Sequence, residues 1–286
     1  MSVGFLLALV GCASTLPRWE AVPSSSAAAE QGLALVERSV EAHGGDLYES
    51  VEDLSVRYDG TWGKVAVRVQ PELTDSEYRK SSEERLILEP GIIAQLHTGP
   101  TADKRKKVYR DRTGASVFYS GEKTPDEDQA KASALVADVY RMLILAPSYF
   151  LHTGNELLPL DTQRENGRVY DRVVTRLEPG LGFSASDRVV LWIDQETGRL
   201  FRLHFSLEGY PGTQGADVDI TFSNHREIEG FLWPTHFRER IRAPIRAFAH
   251  QWNLLGLDLN RGLTAKDLEG DGPYRGAAVA PARDLP

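Results

Sequence analysis

From about residue 54 onward, apolar side chains recur at every second position in one short run after another. Leu54, Val56 and Tyr58 alternate with Ser55, Arg57 and Asp59, and Val65, Val67 and Val69 alternate with Lys64, Ala66 and Arg68. Phe201, Leu203, Phe205 and Leu207 alternate with Arg202, His204, Ser206 and Glu208. Val218, Ile220 and Phe222 alternate with Asp217, Asp219 and Thr221. A period of two sends successive side chains to opposite faces of a strand, so each run has one face to bury. Turn residues separate the runs, among them Glu89-Pro90-Gly91, Arg112-Thr113-Gly114 and Asp194 to Gly198. Connections this short join antiparallel neighbours. Runs at about 54–59, 64–69, 77–88, 91–98, 105–112, 115–121, 168–177, 187–194, 199–208, 217–222 and 248–258 predict ten or eleven strands.

Two segments carry a helical period instead. Leu33, Val36 and Val40 share a face between about residues 30 and 43, and Gly44-Gly45 supplies a left-handed stop. A second helix is predicted over 125–146, with Thr124 as its cap, Pro125 at its first position and Glu127 completing a capping box. Its apolar residues, Leu135, Val136, Val139, Met142, Leu143 and Ile144, cover more than a narrow stripe, which predicts burial on several sides. Because this helix interrupts the strands rather than alternating with them, the chain is not a parallel α/β design. After Pro147 the pattern predicts a loop of about 20 residues, and the last 25 or so residues read as a frayed tail.

The single cysteine of the 286 residues stands at position 12, which excludes an intramolecular disulfide framework. Before it lies a short apolar run, Phe5 to Gly11, and Leu9-Val10-Gly11-Cys12 has the residue order of a bacterial lipobox. A small residue before the cysteine opens the backbone to a peptidase, and the thiol takes a diacylglycerol. Two or three acyl chains hold a protein on a bilayer, at roughly 0.8 kcal/mol per buried methylene. Residues 1–11 carry no Lys or Arg, a departure from the basic start of such signals. Residues 13–31 are rich in Ala, Ser and Pro without an apolar period, as in a flexible tether. The expected organisation is a signal peptide over 1–11, a lipidated Cys12 and tether over 12–31, and one domain over 32–286. The expected location is the bacterial envelope, with Ala13 after the cysteine favouring the outer membrane, facing the periplasm.

The net charge of −8 argues against nucleic acid as a partner, since phosphate binding needs a basic face. No stretch approaches the roughly 18 apolar residues of a membrane-spanning helix. The seven histidines fall in no metal-binding spacing, and His43 reads as a charge at a helix C-terminus. Asp217 and Asp219 read as the solvent side of an amphipathic strand, and Lys104 to Lys107 as a solvated loop. Arg238, Arg240 and Arg242 alternate along one strand, where they either meet an anionic headgroup or face solvent. No catalytic, cofactor or metal motif emerges, so no enzyme activity, cofactor or metal is expected.

The order of the pieces resembles the LolA/LolB-like proteins, the lipoprotein-localisation family and its envelope relatives. The matching segments are the helix ending in "EAHGG", "WIDQETGRLFRL" at Trp192 to Leu203, "ITFSNHREIEGFLWPTHF" at Ile220 to Phe237 and "LLGLDLN" at Leu254 to Asn260. The resemblance implies a mainly β fold with two helices: a curved, unclosed antiparallel half-barrel wrapped over a helix. Such a half-barrel encloses an apolar cavity suited to a lipid or a lipoprotein acyl chain. Candidate ligand-binding residues are Leu135, Val139, Met142 and Leu143 on the helix. On the strands they are Trp192, Phe201, Leu203, Phe205, Ile220 and Phe222. The implied partners are a membrane, reached through the lipid anchor, and an apolar ligand. Other readings are a scaffold that presents its sheet to envelope proteins and an anchored hydrolase.

Overall fold

The computed structural model describes residues 14–272. The alternating runs become thirteen strands of a single antiparallel sheet. One meander contains β1 (Asp53–Trp62), β2 (Ser81–Ile87), β3 (Ile92–Thr98), β4 (Arg105–Arg110), β5 (Ala115–Tyr119) and β6 (Glu122–Lys123). The other contains β7 (Leu157–Glu165), β8 (Arg168–Leu177), β9 (Asp187–Asp194), β10 (Leu200–Ser206), β11 (Asp217–Ile228), β12 (Phe231–Ala243) and β13 (Ala247–Leu259). The strand order is β6-β5-β4-β3-β2-β1-β13-β12-β11-β10-β9-β8-β7, so the meanders join where β1 pairs with β13. The sheet does not close, and β6 and β7 are its two edges.

This order explains the long helix. The first meander ends at one edge and the second begins at the other, so the chain must cross the sheet's concave face. Helix α5 (Glu127–Leu145) makes the crossing, with roughly 28 Å of self-satisfied backbone. Its wide apolar surface packs Leu135, Met142 and Leu143 into the same core as Leu203, Phe205, Ile220 and Phe222. The N-cap is Asp126, whose carboxylate accepts from the amides of Asp128 and Gln129, rather than the expected Thr124. A carboxylate also complements the helix dipole, which a threonine hydroxyl does less well.

Several expectations change. There are thirteen strands rather than ten or eleven, and six α-helices rather than two among the described residues. Residues 64–69 form a helix, α3 (Lys64–Val69), followed by α4 (Pro71–Thr74), where alternation predicted a strand. β13 already pairs with β1 and β12, which leaves this segment no strand to join. A β-carbon on Gly63 would lie 2.3 Å from the carbonyl oxygen of Phe248, so only glycine lets the chain turn there against β13. The loop expected after Pro147 contains β7, a strand with little apolar alternation past Leu160.

The convex face is covered as well. Helix α1 starts at Ser26, capped by Ser25, inside the segment expected to be a free tether, and then follows the expected helix to Ala42, with Val36 and Val40 in the main core. Leu16 is buried against Leu158, Tyr170, Val174, Val190 and Trp192, so residues 14–25 strap the outside of β7–β9. The oxygen Oδ2 of Asp217 accepts from Ser14 Oγ at 2.7 Å and from the Thr15 amide at 2.9 Å. At the other end of the sheet, α6 (Ala265–Leu268) buries Leu268 on Ile87, Ile92 and Ala94, where a frayed tail was expected. Both segments are short, and their apolar residues show no period until a second surface is present.

Candidate ligand-binding site

Between α3, α4, α5 and the concave side of β10–β13 lies a cavity of about 310 Å³. Leu135 and Val139 of α5, Ala66 and Val69 of α3, and Phe205, Val218 and Ile241 of the sheet supply its apolar walls. Volumes of this size lie at the lower end of small-molecule sites. The walls follow from local periodicities: α5 turns Leu135 and Val139 to one side at i, i+4, and alternation sends Phe205, Val218 and Ile241 inward.

The polar residues of the wall divide into two groups. Gln70, Thr74 and Thr213 each spend a side-chain donor on a backbone carbonyl, of Gly212, Pro71 and Tyr210 respectively. Arg79, Tyr140, Glu239 and His250 instead gather at the inner end, next to Trp62. Arg79 is buried, lies over the Trp62 ring at 4.8 Å, and donates from Nη1 to the Leu73 carbonyl at 2.5 Å. It thereby ties α4 to the sheet. His250 stacks on Trp62 with ring centroids 3.7 Å apart, and burial holds its imidazole neutral. Burial also pushes the carboxyl of Glu239 up to about 7, against the favourable pull of Arg79. Beneath this layer, Tyr58, Phe237, Trp252 and Tyr140 form a closed aromatic floor.

The ten residues singled out from the sequence are divided by the structure. Leu135, Val139 and Phe205 line the cavity. Met142, Leu143, Leu203, Ile220 and Phe222 are packed in the surrounding core. Trp192 and Phe201 lie on the convex face, beneath the N-terminal strap. A bulge between Leu200 and Arg202 turns Phe201 outward, where it stacks on Tyr170 at 4.5 Å, so simple alternation misassigns it. Cys12 lies outside the described residues.

Other readings are corrected by burial. His43 is neutral rather than a charge at a helix end: burial lowers it to about 4. Asp217 and Asp219 are both buried on the convex side, not solvent-facing. Asp219 holds Arg240 at 3.0 Å and Arg242 at 3.2 Å, which accounts for two of the three alternating arginines. Lys106 and Lys107 are buried in β4, and Lys106 pairs with Asp75 at 2.7 Å. Sequence reasoning missed Arg79, Glu239 and His250. Glu239 left a signal, since it interrupts the apolar alternation Phe237–Ile241, and a carboxylate there had to face the interior.

No protein-family model and no curated protein sequence matches the chain. Solved structures do match it in shape. A LolA superfamily protein from Nitrosomonas europaea superposes with a TM-score of 0.51 at 12% identity, over 84% of this chain and 98% of that one. A DUF1329 family protein from Desulfovibrio piger gives a TM-score of 0.49 at 12% identity, over 85% and 97%.

Proposed function

Because the chain has a LolA-like fold, we propose that it is a lipid-anchored protein of the bacterial envelope that holds one acyl chain or similar apolar ligand in the concave cavity. The observation that carries this reading is the contrast within the core. A second opening beside α5, of about 640 Å³, is lined by the charged groups of Arg110, Asp138 and Arg141, whereas between α3, α5 and β10–β13 an apolar space of about 310 Å³ remains, lined by Leu135, Val139 and Phe205. Apolar space left unfilled costs packing energy, and a ligand that fills it recovers that energy. On this reading the protein is a carrier or receptor rather than an enzyme. The anchor is the acylated Cys12, and the protein acts at the outer membrane on its periplasmic side.

Val139→Asp tests it. The residue is half-buried on the cavity wall, so a carboxylate there meets the ligand space rather than dense core. Uptake of a fluorescent fatty-acyl probe should fall at least tenfold, the effect of about 1.4 kcal/mol, while the thermal midpoint moves by only a few degrees. Full uptake by a folded Val139→Asp protein would place the ligand elsewhere.

A further inference from the structure

We infer that the cavity mouth is itself a membrane-docking surface, held against an anionic bilayer by the acylated N-terminus. This inference rests on the anchored-carrier reading above and adds the orientation. Three observations converge on one end of the sheet.

The first is the mouth. Val69 and Ile245 line the cavity and are nevertheless 46% and 42% exposed. Val65, one helical turn before Val69 on the same face of α3, is 45% exposed. The described residues contain six large apolar side chains with this degree of exposure, and three of them stand together here. Apolar side chains clustered around an opening mark a contact surface rather than random exposure.

The second is charge. Lys64 and Arg68 on α3 and Arg246 beside Ile245 are all exposed, and they flank the apolar three. The exposed acids nearby are Asp59, five residues before Lys64, Glu72 on α4, and Asp126 and Asp128, which act on Tyr210 together with Glu72. In a chain of net charge −8, the α3 and Ile245 side of the mouth thus carries a cluster of three cations, with the acids Glu72, Asp126 and Asp128 grouped on the α4 side. Basic side chains around exposed apolar ones suit the headgroup region of a bilayer with anionic lipids.

The third is the strap. Ser14 and Thr15 are bonded to Asp217, and Asp217 stands opposite Ala243 in the β11–β12 register. Ala243 immediately precedes Pro244 and Ile245 of the cavity rim. Cys12 is two residues from Ser14, a span of roughly 7 Å at most. An acyl anchor on Cys12 thus enters the bilayer beside the mouth and not from the far end of the sheet. With the mouth on the lipid, an acyl chain passes between bilayer and cavity without crossing water.

The test uses the processed, acylated chain, whose native thiol is blocked by its lipid. Single cysteines at Val69→Cys, Ile245→Cys and Leu255→Cys carry an environment-sensitive fluorophore, one at a time. The protein is reconstituted on phosphatidylethanolamine–phosphatidylglycerol vesicles containing lipids brominated in their acyl chains. Leu255 is exposed on β13 about 30 Å along the strand from the rim. The labels at 69 and 245 should shift to the blue and be quenched, and the label at 255 should do neither. Lys64→Glu with Arg68→Glu and Arg246→Glu should reduce quenching at 69 and 245. An acylated protein quenched at 255 as strongly as at 69, or quenched nowhere, overturns the docking and leaves the carrier reading intact. A chain that incorporates no radiolabelled palmitate overturns both. Equal quenching on purely zwitterionic vesicles overturns the contact between the three cations and anionic headgroups.

Discussion

His43 sits where α1 ends, and a charge there would suit the helix dipole, yet its surroundings require the neutral ring. Its Nδ1 lies 2.8 Å from the Leu232 carbonyl, and its Nε2 accepts from the Leu200 amide at 3.1 Å. One nitrogen donates and the other accepts, which only neutral imidazole does. A second proton would oppose the Leu200 amide with another donor. His225, 5.6 Å away ring to ring, is also lowered to about 4, by burial first and by His43 next. Both folded values lie below the ordinary 6.5, so the unfolded chain binds protons that the folded one refuses. The stability these rings contribute is complete above pH 6.5 and is lost as the pH falls through about 4. Buried Glu84 and partly buried Glu239, each raised to about 7, work in the opposite sense, so the whole protein's pH profile is a sum. His43→Ala isolates one part. It should cost roughly 1–3 kcal/mol at pH 7 for each backbone group left unpaired, and the difference from wild type should shrink towards pH 4. Urea melts at several pH values measure it, and a difference that grows with acidity would contradict the assignment.

At the scale of elements, α3 and α5 decide whether there is a cavity at all. α5 is wide enough in its apolar surface to fill the concave face, but near Val139 it does not reach the sheet, and α3 roofs the gap instead. Ala66 is the residue of α3 that points into this space and is nearly fully buried. Ala66→Leu adds three carbons where the wall is loose. It should therefore leave stability within about 1.5 kcal/mol of wild type, in contrast to overpacking in a filled core. Acyl-probe capacity should drop sharply, because the added side chain occupies ligand volume. Isothermal titration and a thermal melt on the same sample read the two effects. Unchanged binding together with a large loss of stability would mean that the space near Ala66 is not the ligand's. The identity of α3 as a helix was hidden in the chain. Val65, Val67 and Val69 satisfy a strand's alternation, while Val65 and Val69 equally share a helix face, and the choice depends on β13 being already paired.

At the scale of the whole molecule, the convex face of the sheet is covered by segments that read as tether and tail. Leu16 anchors the N-terminal strap, and Leu16→Asp should peel it from β7–β9. The cost should stay near 2–3 kcal/mol, the burial of one leucine, because the strap can detach without opening the core. Hydrogen exchange should accelerate in residues 14–25 and stay slow in α5. Acceleration throughout would show the strap to be part of a single cooperative unit. The sequence by itself determined the strand-rich, antiparallel character, the long buried helix and most strand boundaries, because periods of 2 and 3.6 are set by backbone geometry within a few residues. The β8 and β9 runs, at 168–177 and 187–194, coincide with their expected limits for that reason. Only the tertiary structure decided which apolar face meets which. Phe201 turns outward at a bulge, Asp217 and Asp219 are buried under a strap and beside arginines, and Arg79, Glu239 and His250 converge from β12, β13 and the segment before β2. Burial and pairing between residues distant in the chain are properties of the assembled surfaces, and no local period encodes them.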